Sequence, residues 1–164
     1  HTLQFAPQET SAAVLMIGQD MFSFAQFHFH VPAEHTLDRR AFPVELHFVH
    51  RNSAGNLAVL GVFIEDGAEN AELAALLAAM PAAQGEENAA QLEVDLNALL
   101  PADRAYFAYA GSLTTPPCSE GVRWNVLATP IFASRDQIEA LTAALGASNR
   151  EVQPLNTRVL TFGE

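Results

Sequence analysis

The chain has 164 residues, 49% of them hydrophobic and 16% charged, which is enough for one domain with an apolar core and too few to argue for two. Its net charge of -11 argues against nucleic acid or an anionic membrane as partner, and no run approaches the roughly 20 apolar residues of a membrane span. All eight basic residues are arginines, and the single cysteine, Cys118, cannot form an internal disulfide.

Strand signals come first in chain order. Phe22 to Val31 alternates, with Phe27, Phe29 and Val31 on one face. Phe22, Phe24, Gln26, His28 and His30 fall on the other, which changes from aromatic to polar midway. Phe42 to Arg51 is expected as a second strand, with Glu45, His47 and Val49 on one face and Leu46, Phe48 and His50 on the other. Residues 52–56 read as a turn, and Leu57 to Ile64 as a buried strand. Asn70 to Met80 is expected as a helix stopped by Pro81, with Leu73, Leu76 and Leu77 on one face. A loop over 81–88 and a helical turn from Asp95 to Leu100 follow. Tyr106 to Tyr109 and Arg123 to Ala128 read as strands flanking a loop with consecutive prolines. Ser134 is placed to cap a helix from Arg135 to Leu145, with Gly146 just past its end, and Arg158 to Phe162 reads as a last strand. No repeat or linker interrupts the pattern, so the expectation is one α+β domain over residues 1–164.

Five of the six histidines lie between positions 28 and 50. The two-residue period of a strand puts His28 and His30 on one face about 7 Å apart, and a neighbouring strand about 5 Å away brings His47 within reach. Three neutral imidazoles with a fourth position left to water make the open tetrahedral geometry of catalytic zinc. A ligating imidazole usually donates its other N–H to an outer acceptor, and Gln26 and Glu45 share faces with His28 and His47. One histidine on a strand face is ordinarily just a hydrogen-bonded residue. The third histidine, with amide and acid interleaved, is what turns the pattern toward a metal.

Several segments resemble the α-class carbonic anhydrases: Gln26-Phe27-His28-Phe29-His30, Glu34-His35-Thr36, Glu45-Leu46-His47-Phe48-Val49-His50, the run from Gly111 to Val122 with Trp124 beyond it, and Gln153 to Arg158. They occur in order along nearly the whole chain, and the stretch between His30 and His47 is closer to bacterial members. The resemblance implies a central, mostly antiparallel twisted β-sheet with short peripheral helices. It implies zinc-dependent, reversible hydration of carbon dioxide to bicarbonate by hydroxide held on the metal. His28, His30 and His47 would be the Zn2+ ligands, with Gln26 and Glu45 behind them. Thr114 would be the gatekeeper that donates a hydrogen bond to Glu34, and Thr115 would line the same pocket. Val49, Val59, Leu113, Val122 and Trp124 would form the apolar wall where carbon dioxide sits. His1 would be the proton shuttle. Sulfonamide-type and anion inhibitors would be expected ligands, and a periplasmic or secreted location would follow. His35 and His50 read as structural.

The match starts partway into the family's length, so a segment that typical members carry upstream is expected to be missing. Edges exposed by that loss invite pairing with a second copy, making a homodimer an expectation, and Cys118 would be a free thiol or bonded between chains. Two other readings compete. A cupin-like metal protein fits His28, His30 and Glu34 but lacks the downstream glycine and a second motif. A carbonic anhydrase-like binding module, inactive or dependent on assembly, would be the consequence of the missing segment.

Overall fold

The structure is a computed structural model that describes residues 3–6, 13–81 and 94–164. Its centre is a sheet of nine strands among the described residues: β1 (Leu3–Phe5), β2 (Val14–Ile17), β3 (Asp20–His30), β4 (Val44–Arg51), β5 (Leu57–Asp66), β6 (Tyr106–Ser112), β7 (Glu120–Leu127), β8 (Ile131–Ala133) and β9 (Thr161–Gly163). The main order is β1-β3-β4-β5-β7-β6-β9, with β2 extending β3 and β8 extending the far end of β5. Only β5 with β7 and β5 with β8 pair in parallel; the other neighbours are antiparallel. Helices α1 (Ala71–Ala78) and α2 (Arg135–Leu145) and a short 3-10 turn (Leu96–Leu99) complete the described elements. None of these helices is long and apolar enough to cross a membrane.

The sheet has two different faces. On one, Phe27 and Phe29 of β3, Val44, Leu46 and Phe48 of β4, and Val62 and Ile64 of β5 join Leu73 and Leu76 of α1 and Leu141 and Leu145 of α2 in a closed apolar core. That burial is what holds both helices, since neither is long enough to be stable alone in water. On the other face, Val49, Val59, Phe63, Val122, Trp124 and Val126 form a second cluster beside the histidines. Strand β4 is buried along both faces up to Arg51, as a central strand must be.

The aromatic-to-polar change along β3 has a physical cause. Its register to β4 shifts between Phe24 and Gln26, a β-bulge at Ala25. Phe24 is opposite His50 while Gln26 is opposite Val49, so the extra residue moves the even positions from the core face to the histidine face. Phe24 accordingly packs on Phe27 and Phe48, not alongside Gln26 as strict alternation predicted.

Other differences are local. The hairpin β2–β3 was not legible in advance; it turns through Gly18 and Gln19, with Gly18 at a φ of 63°, the left-handed conformation a two-residue hairpin favours at that position. Strand β4 starts at Val44 rather than Phe42, and β9 covers Thr161–Gly163 rather than starting at Arg158. Arg158 is instead held in a turn, its N–H on the Leu155 carbonyl at 3.0 Å and its guanidinium on the Pro154 carbonyl at 2.6 Å. The first helix begins after Asn70, whose side chain caps it, and α2 carries the expected Ser134 cap, completed by Gln137 as a capping box. Past Pro81 the expected 81–88 loop lies outside the described residues, as does His1.

Candidate metal centre

Cross-strand register puts His28 of β3 opposite His47 of β4, and His30 opposite Glu45. The three imidazoles meet with ring centroids 5.0 Å (His28–His30), 5.3 Å (His28–His47) and 4.7 Å (His30–His47) apart. Each offers a nitrogen within 4.8 Å of the other two. The outward nitrogens are all committed. His28 Nδ1–H donates to Gln26 Oε1 at 2.8 Å, His30 Nδ1–H to the Ser148 carbonyl at 3.0 Å, and His47 Nε2–H to Glu45 Oε1 at 2.9 Å. These bonds fix ring orientation and leave Nε2 of His28 and His30 and Nδ1 of His47 as the inward atoms.

His30 Nε2 is buried and has no hydrogen-bond partner. A buried nitrogen lone pair in that state costs free energy unless something accepts it, and a metal ion does. Burial, then the neighbouring His47 and His30, push the His28 pKa down to about 3. Burial and then His47 also lower that of His30. Both rings therefore stay neutral at ordinary pH, the protonation state a metal ligand needs. The donor set fits a divalent metal.

Behind the triad lies a charged web. Glu45 is fully buried and accepts from the backbone N–H of Glu34 and of His35 at 2.9 Å each, and from His35 Nδ1–H at 2.7 Å, besides His47. Burial opposes its charge, yet His35 and His47 hold its carboxyl well below the ordinary carboxylate range. Burial likewise works against a proton on His35, but Glu45 overcomes it and the His35 pKa rises. The far side of that ring shares a 2.5 Å hydrogen bond with the Tyr109 hydroxyl. His35, Glu45 and His47 also lie close enough to count as three potential donors, but their hydrogen bonds to one another make them a scaffold for the ligands. Gly61, opposite His47 on β5, makes room for the Glu45 carboxylate: a Cβ there would sit 2.9 Å from Glu45 Oε1.

Val49, Val59, Val122 and Trp124 fall in one cluster on the triad's face, with Leu113 packed at its edge. The Trp124 indole N–H donates to the Ser112 carbonyl at 3.0 Å, which fixes the chain just before Thr114. Thr114 and Glu34 line one cleft of about 860 Å³ with Tyr109, Arg150 and Leu160, whereas none of the three imidazoles does. Thr115 is exposed on the loop. Glu34 Oε1 accepts from the Arg150 N–H at 2.6 Å; its Oε2 is buried without a partner. His50 is structural, donating from Nδ1 to the Phe48 carbonyl at 3.0 Å. Sequence reasoning did not find Ser148, Arg150 or Tyr109, because no local spacing links them to the histidines.

The family model of eukaryotic-type carbonic anhydrases matches residues 1–163. This chain belongs to that family. It is 46% identical to a carbonic anhydrase from Klebsiella pneumoniae over 98% of its own length, and 42% identical to one from Neisseria gonorrhoeae over 98%. It spans 65% and 63% of those two relatives. Among solved structures, the α-carbonic anhydrase of Thermovibrio ammonificans, in complex with the inhibitor sulfanilamide, superposes with a TM-score of 0.92 at 43% identity, covering 98% of this chain and 70% of that one. The expected carbonic anhydrase fold, a mostly antiparallel sheet with two short helices, is the fold observed.

Proposed function

We propose that this member of the carbonic anhydrase family catalyses the reversible hydration of carbon dioxide to bicarbonate and a proton, with Zn2+ held by His28, His30 and His47. One observation carries the reading: three imidazoles, His30 and His47 buried and His28 half-buried, have every outward nitrogen hydrogen-bonded and turn their remaining nitrogens on a common point, one of them otherwise unsatisfied. When bound, zinc supplies a Lewis acid strong enough to let water ionise near neutral pH.

The chain's own groups do the rest. Gln26, the Ser148 carbonyl and Glu45 hold the rings so that three uncharged donors face inward, leaving the metal its full positive charge. Glu34 Oε2 is the acceptor proposed for the Thr114 hydroxyl. With its proton committed there, that hydroxyl can only accept, so it selects a reacting group that carries a proton of its own and orients that group's lone pair. Val49, Val59, Leu113, Val122 and Trp124 offer an apolar wall, which suits an uncharged substrate with no proton to donate. Thr115 completes the mouth of that pocket, and His1 is the shuttle to bulk water. A binding module without metal would be expected to have lost a ligand, and all three positions hold histidine.

The test is carbon dioxide hydration by the purified 164-residue chain, before and after chelation and after zinc is restored. Activity should vanish and return, and sulfanilamide should inhibit it. A folded, zinc-loaded chain without activity would overturn the catalytic reading.

A further inference from the structure

Strand β3 leaves the sheet immediately after His30, whose opposite number is Glu45 at the last rung of the ladder. The next residue, Val31, is buried at 6% exposure, so water does not satisfy its backbone. Ser148, 117 residues further along, does so from both sides. Its N–H donates to the Val31 carbonyl at 2.8 Å, and its Oγ accepts from the Val31 N–H at 3.1 Å. The carbonyl of the same serine takes the His30 Nδ1–H at 3.0 Å. One residue therefore grips a metal-ligand ring and the backbone that follows it.

We infer that the Ser148 hydroxyl is a positioning group for the His30 imidazole, an inference that rests on the zinc reading above. A carbonyl can aim a ring only if its own peptide is fixed. The N–H bond to Val31 alone is a pivot, and the hydroxyl bond to the other side of the same residue stops rotation about it. Without Oγ, the Val31 N–H is left buried and unpaired, and the peptide that carries the Ser148 carbonyl is free to turn off the line of His30. The segment beyond is tied in the same way, since the Arg150 N–H holds Glu34 and its guanidinium reaches Ser112 Oγ at 3.3 Å.

The experiment compares the wild-type chain with Ser148→Ala, Ser148→Thr and Ser134→Ala, each loaded with zinc or with Co2+. Ser134→Ala removes the cap of α2, on the opposite face of the sheet, and serves as a control for general loss of stability. Zinc release to an excess of chelator and the visible spectrum of the Co2+ form are measured for each. Ser148→Ala should release zinc about 10-fold faster, the low end for groups that orient metal ligands, and alter the Co2+ spectrum, while Ser148→Thr restores both. Ser134→Ala should melt earlier yet release zinc at the wild-type rate. Wild-type release and spectrum in Ser148→Ala would overturn the inference alone, as would equal acceleration in Ser148→Ala and Ser134→Ala. Failure of the wild-type chain to retain either metal would overturn the zinc reading and this inference with it.

Discussion

The two faces of strand β4 carry the same degree of burial and opposite kinds of order. Val44, Leu46 and Phe48 point into the core under the helices, where contacts are numerous, undirected and interchangeable. Glu45 and His47 point the other way, where the Glu45 carboxylate accepts from His35, from His47 and from two backbone N–H groups, and fills the space that Gly61 leaves. Cohesion on the first face comes from area and close packing, so it degrades gradually. Order on the second comes from pairing, so losing one partner strands the others.

The largest expected break in this comparison is His47→Ala. Removing one of three ligands should take the chain from full zinc retention to none after dialysis; full occupancy in that variant, measured by metal analysis, would sink the ligand assignment. Next come two substitutions that conserve volume, one per face. Glu45→Gln leaves His35 without its counter-charge and should cost about 3–5 kcal/mol of unfolding free energy. Leu46→Met, equally buried, should cost less than about 1.5 kcal/mol. Equal costs in chemical denaturation would mean that the faces do not differ as argued.

A pH series on the metal-free chain sharpens the contrast. Burial lowers the pKa of His28, His30 and His50 below the ordinary 6.5, so below that pH the unfolded chain binds more protons than the folded one. Stability should therefore fall as pH drops through the ordinary imidazole range, with a slope approaching about 1.4 kcal/mol per pH unit for each such histidine. His35 has the opposite sign. Its pKa is raised, so its contribution is complete below 6.5 and is lost as pH climbs through the raised value. A flat profile would refute both assignments. The smallest effect belongs to the helical side, where Ser134→Ala should cost about 1 kcal/mol in thermal or denaturant unfolding without touching the metal site.

Much of this was legible in the residues. Period-two alternation gave β4 and its faces, leucine spacing and cap chemistry gave α1 and α2, and the pair His28 and His30 with His47 pointed to a metal before any fold was known. What escaped has a common physical character. A bulge is one extra residue in a strand, and the change from Phe24 to Gln26 showed its effect without its cause. Short edge strands such as β1, β8 and β9 carry little pattern of their own and exist because a neighbour accepts them. Ser148 serves the site through its backbone and a hydroxyl that any loop serine possesses, so nothing in its surroundings marks it.

The tie between His30 and Ser148 spans 118 positions, and that between Glu34 and Arg150 spans 116. During synthesis the strands that bear the three ligands emerge long before the segment that locks one of them. Contacts of such long sequence separation are slow to form, because the loop they close must be ordered first. The nascent chain thus holds all its ligands well before it holds their geometry, and tight metal capture marks completion of the fold rather than its nucleation.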